Sequence, residues 1–509
     1  MNTSMSSIKK VLIANRSEVA RRIQATLHAR GIQTIAVFES SDASLAYVAS
    51  ATYAYLLSGS GFSAYQAQDE LIEIALCAGA DAVHPGYGFL AENALFAQKV
   101  IDAGMIWIGP SPEIISCMGD KHQARQLAEQ AGVPVVPAVH LDNVNPDDWR
   151  YALVAAQQIG FPIILKDPLG GGGKGMRRVE AAEDFAASWQ RVCSEAGKLT
   201  GGRQILVEKY LTQARHIEVQ IAGDGVSWIH LYERECSIQR RHQKIIEEAP
   251  CSFVSQTMLD KMYQVALQLA QKVNYSSIGT VEFIVTSDEQ FYFLEMNTRL
   301  QVEHSITELT TGIDLVGLQL DIAQCGQLSL TQADVVRRGH AIECRIYAEN
   351  PEHNFMPATG TLLNVAIPTI SFGRIDYDLH KELAVTPFFD PMIAKVSTCG
   401  ATRQQATQFM HQVLSEFLLD GVTTNSNFLK NILNHELFAT GSFHTQLLAD
   451  TNLVQTLAQH SDRDDQTISQ EHIALIAAII VQSQPQKNKT QMSSQYVRQH
   501  NGWKDRQWE

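Results

Sequence analysis

The sequence predicts a multidomain protein of mixed class, in which an α/β region is followed by α+β segments. Its 509 residues are enough for two to four domains. Residues 10–14 and 34–38 have the apolar runs of short buried strands, and residues 18–30 between them have helical apolar spacing. This strand–helix–strand unit is how an open α/β sheet begins. Because it contains no GxGxxG, it does not indicate a dinucleotide site.

Composition places the chain among ordinary globular proteins and excludes several classes. Apolar residues make up 45% and charged residues 18%, and the net charge of -14 argues against a nucleic-acid surface. Eight cysteines occur without a CxxC pair, which predicts reduced thiols and an intracellular protein. No signal peptide is evident, and the apolar run at residues 473–481 is too short to cross a bilayer. The sequence therefore predicts a cytoplasmic protein without membrane or nucleic-acid partners.

The most informative stretch is residues 291–304, FYFLEMNTRLQVEH. After an apolar lead-in, polar residues occupy every second position, namely Glu295, Asn297, Arg299, Gln301 and Glu303. In an extended chain this period places all five on one face. Carboxylates and an amide suit Mg²⁺ with phosphate oxygens, whereas a guanidinium suits a small oxyanion. The alternative is a solvated edge strand with paired surface charges.

A second strand is expected to bring another acid to this face. Residues 279–286 carry Glu282, and four turn-like residues separate them from the stretch above. The two segments should form a hairpin that sets Glu282 near Glu295. Paired carboxylates repel unless a cation lies between them, so a divalent metal held by both, with Asn297 alongside, would relieve that cost.

A glycine-rich run follows another strand-like segment. Residues 167–175, DPLGGGGKG, come directly after residues 163–166 and are flanked by Lys166 and Lys174. Backbone amides of such a run can wrap phosphates, which favours a phosphate-binding lid over a floppy linker. It is not a Walker A loop, because GxxxxGK[ST] is absent.

Two further groups of charges have open interpretations. Residues 240–244, RRHQK, form a basic cluster that could hold an anion or be a solvated face offset by Glu247 and Glu248. Glu208 and Lys209, at a strand end, could hydrogen-bond a purine edge or be surface charges.

Together these motifs resemble the biotin carboxylases, a branch of the ATP-grasp superfamily, over about residues 8–447. The motifs are, in the family's order, KVLIANRSEVA, HPGYGFLAEN, MGDK, GGGGKGMR, VEKYL, RHIEVQ, ECSIQRRHQKIIEEAP, GTVEF, FLEMNTRLQVEH, RGHAIECRIYAE and DPMIAK. The resemblance implies an N-terminal Rossmann-like domain, an ATP-grasp domain with a mobile glycine-rich lid, and a C-terminal biotin carboxylase domain. The expected bounds are 8–117, 118–330 (lid 133–207) and 337–447, followed by a polar tail at 448–509 as a docking segment.

The resemblance also implies a reaction, in which ATP and bicarbonate form carboxyphosphate and then carboxylate biotin. Mg²⁺ or Mn²⁺ would be held by Glu282 and Glu295 with Asn297. The implied ATP contacts are Lys121, Lys166, Gly171, Gly172, Gly173, Glu208, Lys209, Leu211, His216, Gln239 and His242.

The remaining implied residues handle bicarbonate and biotin. Lys244 and Arg299 would bind bicarbonate beside Gln301 and the Val302 backbone, with Glu303 as its base. A position across from Arg299 would keep Glu303 ionised. Arg345 would stabilise the enolate-like oxygen of biotin, and Tyr87 would line the biotin pocket.

Several positions depart from the family pattern. Ser17 stands where the family usually has Gly, which could strain a turn that needs a positive φ. The lid is entered through Asp167-Pro168-Leu169, which predicts slower lid closure or weaker ATP binding. Ala25 and Ala29 fall where several members carry charged dimer contacts, which puts the family's homodimer in doubt.

No Met-Lys-Met occurs, so biotin is expected on a carrier protein, with the carboxyltransferase on another chain. The leading hypothesis is thus the biotin carboxylase subunit of an acetyl- or other acyl-CoA carboxylase. Two alternatives are a non-catalytic regulatory or assembly subunit and another carboxyphosphate-forming ATP-grasp ligase.

Overall fold

The computed structural model describes residues 7–142, 144–166, 176–199 and 204–459. The first region contains a strand and helix alternation. Its elements are β1 (Lys10–Ile13), α1 (Ser17–Ala29), β2 (Gln33–Phe38), a 3₁₀ turn (Ser40–Asp42), α2 (Ala46–Ser50), β3 (Tyr53–Leu56), α3 (Gly61–Ala64), α4 (Gln68–Cys77), β4 (Ala82–His84), α5 (Ala94–Asp102), β5 (Ile106–Trp107) and α6 (Pro112–Gly119).

These strands form one parallel five-stranded sheet in the order β3-β2-β1-β4-β5. The predicted strand–helix–strand unit at its start is confirmed. Val11, Ile13 and Ile35 are buried in the sheet, and Val19 and Ile23 of α1 are buried against it. Ser17, the first residue of α1, has a φ of 53°, so the positive φ expected at this position is also confirmed.

The second region holds a small antiparallel sheet. Its elements are α7 (Lys121–Gln130), β6 (Ala138–Leu141), α8 (Trp149–Ile159), β7 (Ile163–Lys166), β8 (Met176–Val179), a 3₁₀ turn (Ala182–Asp184), α9 (Phe185–Leu199) and β9 (Ile205–Lys209). The strand order is β6-β9-β7-β8, and Phe185 and Trp189 of α9 pack on it with Leu165 and Val207.

The largest sheet carries most of the polar motifs. Its first part comprises β10 (Arg215–Asp224), β11 (Trp228–Arg240), β12 (Gln243–Ala249), α10 (Gln256–Lys272), β13 (Ser276–Val285), β14 (Phe291–Asn297), α11 (His304–Thr311) and α12 (Leu315–Cys325). The hairpin of β13 and β14 pairs Glu282 with Glu295 across the strands, as predicted. The extended face predicted for residues 295–303 is wrong beyond Asn297, because β14 ends there and a loop leads to α11 at His304.

The third region completes the same sheet. Its elements are a 3₁₀ turn (Gln332–Asp334), β15 (His340–Tyr347), β16 (Glu349–Asn350), a 3₁₀ turn (Pro351–His353), β17 (Met356–Pro357), β18 (Gly360–Thr361), β19 (Asn364–Ala366), β20 (Gly373–Tyr377), β21 (Ala384–Val385), β22 (Met392–Gly400), α13 (Arg403–Glu416), β23 (Leu418–Asp420), α14 (Ser426–Asn434), α15 (Glu436–Thr440), a 3₁₀ turn (Leu447–Ala449) and α16 (Thr451–Gln459).

The eight strands of the large sheet run in the order β14-β13-β10-β11-β12-β15-β22-β20. Strand β15 pairs directly with β12, so residues far apart in the chain share one antiparallel sheet. Within the described residues, no helix is both long enough and apolar enough to span a membrane.

Candidate active site

Lys244 lies at the centre of a buried acid–base cluster. It stands near the start of β12, and its ammonium donates to Glu218 (2.5 Å), Glu303 (2.7 Å) and Glu282 (3.0 Å). Burial lowers the pKa of Lys244, but the acidic groups around it outweigh this effect and raise the pKa well above its ordinary value. Glu218 was not predicted from the sequence, although it sits in the alternating segment HIEVQ.

Arg234 supports this cluster from inside the sheet. Its guanidinium is fully buried and bonds Glu218, Gln220 (2.7 Å) and Thr307 (2.8 Å). A buried guanidinium is tolerated only when its donors are satisfied, and two elements, β10 and α11, supply these acceptors. The position of Glu218 beneath Lys244 is therefore fixed by strand pairing and by Arg234 together.

Glu303 is held by two cations. Its two oxygens accept from Lys244 (2.7 Å) and from Arg345 (3.0 Å), and the side chain is fully buried. Burial raises the pKa of Glu303, but Lys244, Arg345 and Arg234 outweigh it and hold the pKa well below the ordinary range. The expectation that Glu303 stays ionised agrees with this direction, but the cations that cause it are not Arg299.

Arg299 turns instead toward the N-terminal region. Its Nε donates to Glu92 (2.9 Å), and its other nitrogens reach Asn297 (3.0 Å) and Gln301 (3.2 Å). Glu92, which lies in the turn before α5, was not among the predicted site residues. This contact brings together two regions that are about two hundred residues apart in the chain.

The predicted metal ligands lie together on the β13–β14 hairpin. Asn297 donates to Glu282 (2.8 Å), and Glu295 is paired with Glu282 across the strands. Although burial raises the pKa of Glu282, Lys244 and His216 lower it overall, whereas burial and the charge of Glu282 raise the pKa of Glu295. This pair of carboxyl groups fits a divalent cation, because the charge of the cation would relieve the repulsion between Glu282 and Glu295.

The loop between β14 and α11 is fixed through its backbone. The fully buried Lys395 of β22 donates to the carbonyl of Val302 (2.6 Å), and His304 Nδ1 lies 2.8 Å from the carbonyl of Gln301. Gln301 also donates its side-chain amide to Glu282 (3.2 Å). These contacts hold the predicted bicarbonate residues in place without a regular strand.

Tyr87 is buried beside this loop, with its hydroxyl donating to Glu18 of α1. Lys395 lies 5.9 Å from the centre of the Tyr87 ring. Burial raises the pKa of Glu18 to about 7, against the opposing effects of Lys395 and the Tyr87 hydroxyl.

Three of the predicted nucleotide contacts lie on the small sheet. Lys166, at the end of β7, pairs with Glu208 of β9, while Lys209 donates to the carbonyls of Gly160 (3.0 Å) and Phe161 (2.9 Å). Lys121 is exposed at the first residue of α7.

The other predicted nucleotide contacts surround β10 and β11. His216 lies 2.6 Å from Glu282 and 2.7 Å from Gln239, whereas His242 is exposed at the tip of the β11–β12 hairpin. Leu211 follows β9, and its carbonyl accepts from Gln446 (3.4 Å).

Some predicted residues lie outside the described part of the chain, and one alternative that the sequence left open is wrong. Gly171, Gly172 and Gly173, the Asp167-Pro168-Leu169 entry to the lid, and the part of the tail beyond residue 459 lie outside the described residues. The reading of residues 240–244 as a solvated face offset by Glu247 and Glu248 is wrong, because both carboxylates are buried and bound to other cations.

Comparison with known proteins gives three family matches along the chain. The models match as biotin carboxylase N-terminal domain at residues 7–115, carbamoyl-phosphate synthase L chain ATP-binding domain at residues 120–331, and biotin carboxylase C-terminal domain at residues 343–450. The ATP-binding model is named for another ligase, but both flanking models are named for biotin carboxylase.

Curated relatives and solved structures agree with these matches. The chain is 44% identical over 441 residues to biotin carboxylase 2 of Bacillus subtilis, covering 86% of this chain and 98% of the relative. It is 44% identical over 445 residues to the methylcrotonoyl-CoA carboxylase subunit alpha of Arabidopsis thaliana, covering 87% of this chain but only 60% of that protein.

Two solved structures show the same fold over 88% of the chain. A biotin carboxylase–beta-gamma-ATP complex from Campylobacter jejuni has a TM-score of 0.81 at 35% identity and is covered completely. The biotin carboxylase domain dimer of Hydrogenobacter thermophilus 2-oxoglutarate carboxylase, in complex with MgADP, ADP and bicarbonate, has a TM-score of 0.81 at 36% identity and is 99% covered.

Proposed function

The chain belongs to the biotin carboxylase family, and we propose that it carboxylates biotin with bicarbonate in an ATP-dependent reaction. The observation that carries this proposal is the buried cluster of Lys244, Glu218, Glu282, Glu303 and Arg345. A cluster of three carboxylates and two cations in a sheet interior is costly to desolvate, and such groups concentrate where substrates carry charge.

ATP would bind between the small sheet and the large one. Lys166 is paired with Glu208, so nucleotide phosphates would replace one anionic partner of this ammonium with another. Lys121 at the start of α7 offers a second ammonium. When bound, a divalent cation at Glu282, Glu295 and Asn297 supplies positive charge to the phosphate oxygens.

Bicarbonate would bind beside Arg299 and Lys244, with Gln301 and the Val302 backbone completing the site. Lys244 contacts Glu303 directly at 2.7 Å. An anion that attracts Lys244 would weaken this contact and raise the pKa of Glu303, because a neighbouring cation is what holds it low. Glu303 would thereby become a better base for bicarbonate as the anion binds.

Biotin would be activated on the opposite side of Glu303. Arg345 would stabilise negative charge on the ureido oxygen, and Tyr87 would line the pocket with its ring. The phosphate released from carboxyphosphate would take the ureido proton. Exclusion of water from this buried site would protect carboxyphosphate from hydrolysis.

The partners follow from the chemistry. We propose that biotin is presented by a carrier protein and that a carboxyltransferase on another chain transfers the carboxyl group to an acyl-CoA. The similarity to alpha subunits of methylcrotonoyl-CoA carboxylase supports this setting but assigns no acceptor to this chain. We also propose a cytoplasmic location and homodimer formation, the latter supported by the related dimer above.

One assay tests the proposal. ADP release is measured with bicarbonate alone, with bicarbonate and free biotin, and with bicarbonate and ammonia. Stimulation by biotin supports a biotin carboxylase, turnover only with ammonia supports another carboxyphosphate ligase, and no turnover under any condition supports a non-catalytic subunit.

A further inference from the structure

Arg345 is held between two carboxylates, only one of which has a role in the reaction proposed above. Its Nε donates to Glu247 at 2.6 Å and its Nη2 donates to the same oxygen at 2.5 Å. The Nη2 also reaches Glu303 at 3.0 Å. Glu247 therefore makes the shorter contacts, and two of them fix the plane of the guanidinium.

Glu247 has no other partner among the described residues. Its side chain is fully buried on β12, and its Oε2 makes no hydrogen bond there. On the neighbouring strand β15, Glu343 stands directly opposite, so a second acid shares its face of the sheet. Burying a carboxylate beside another carboxylate is unfavourable, and packing alone would be served better by an apolar side chain.

The charge of Glu247 in turn depends on Arg345. Burial and the neighbouring Glu343 raise the pKa of Glu247 to about 8, even though Arg345 opposes the shift. Arg345 lowers the pH at which Glu247 ionises, so the charge of Glu247 is coupled to the position of that guanidinium.

We propose that Glu247 is a positioning residue that orients Arg345 for the biotin step and is not needed for bicarbonate-dependent cleavage of ATP. This inference rests on the proposed function, in which Arg345 contacts biotin whereas Lys244 and Arg299 contact bicarbonate. Without Glu247, Arg345 would lose the two contacts that fix the plane of its guanidinium, and with them its orientation toward the ureido oxygen.

Glu248 provides a matched control in the next position of the strand. It is also buried and also binds an arginine, with Arg403 Nε at 2.6 Å and His340 at 2.9 Å. Successive residues of a strand point to opposite faces, so Glu248 lies away from Arg345. Its loss should affect stability without affecting either half of the reaction selectively.

The test compares Glu247→Gln with Glu248→Gln in the full chain. Two rates are measured for each: bicarbonate-dependent ADP release without biotin, and kcat and KM for carboxylation of free biotin. We expect Glu247→Gln to lower kcat for biotin carboxylation roughly tenfold or more, the size of one lost charge-assisted hydrogen bond, while ADP release changes far less. Glu248→Gln should leave the ratio of the two rates as in the wild type.

Several outcomes would overturn the inference. One is an equal fall of ADP release and biotin carboxylation in Glu247→Gln. The other is a selective fall of biotin carboxylation in Glu248→Gln. If Glu247→Gln folds poorly, Glu247→Asp replaces it, because this variant keeps the carboxylate but withdraws it from Arg345. Glu247→Asp must lower biotin carboxylation more than ADP release, although by a smaller factor. An unchanged ratio of the two rates in Glu247→Asp overturns the inference as well. A wild-type protein without biotin-stimulated turnover would instead contradict the proposed function itself.

Discussion

Replacing Glu295 by Gln is expected to stabilise the metal-free protein while removing its response to Mg²⁺. Glu295 faces Glu282 across the β13–β14 hairpin, and burial and the charge of Glu282 raise its pKa. Opposed side chains on antiparallel strands lie roughly 5 Å apart, which corresponds to a repulsion of about 1 kcal/mol in water and about 3 kcal/mol at an effective dielectric constant of 20. Because the Glu295 side chain is exposed and solvent screens its charge, we expect the free energy of unfolding to rise by an amount near the lower of these values.

The assay is urea denaturation with EDTA and, separately, with Mg²⁺ and ADP. The wild type should gain stability with Mg²⁺ and ADP, since a ligand that binds only the folded state stabilises it. Glu295→Gln should have a higher urea midpoint than the wild type in EDTA, and Mg²⁺ with ADP should raise that midpoint by less than in the wild type. The matched control is Glu289→Gln, which removes one charge at the turn of the same hairpin. The reasoning is refuted if Glu295→Gln is less stable than the wild type in EDTA, or if it retains the full Mg²⁺-dependent gain.

Three further changes test other parts of the structure. Ser17→Gly should raise the free energy of unfolding by about 1 kcal/mol, because Ser17 has a φ of 53°, and an unchanged urea midpoint would contradict this. Lys244→Gln should lower stability by about 3–5 kcal/mol, since it leaves buried carboxylates without their shared cation. That deficit should be larger at pH 8 than at pH 5, where the carboxylates of the variant take up protons, and an equal deficit at both would argue against the charge cluster. Burial lowers the pKa of His84 from 6.5 to about 3, so acidification favours the unfolded chain. Between pH 7 and 5 this group should cost about 2 kcal/mol, and His84→Asn should flatten that part of the stability profile measured by urea.

The sequence determined the family, the strand–helix–strand start and the β13–β14 hairpin. The hairpin was predictable because its turn is short and the alternation of side chains has a period of two, so Glu282 could pair only near Glu295. The positive φ at Ser17 was likewise predictable from a local comparison of residue types. These are features whose causes lie within a few residues of one another.

Only the tertiary structure decided which charges meet. Lys244 reaches carboxylates on β10, on β13 and in the loop after β14, and Arg345 meets Glu247 because β15 pairs with β12. Strand order in the large sheet depends on pairings between distant segments, which no local pattern specifies. The same applies to Arg299, whose partner Glu92 lies in a turn of the N-terminal region. The residue types of the site could be read from the chain, but the partners that set their charge and orientation depend on the order of strands in the folded sheet.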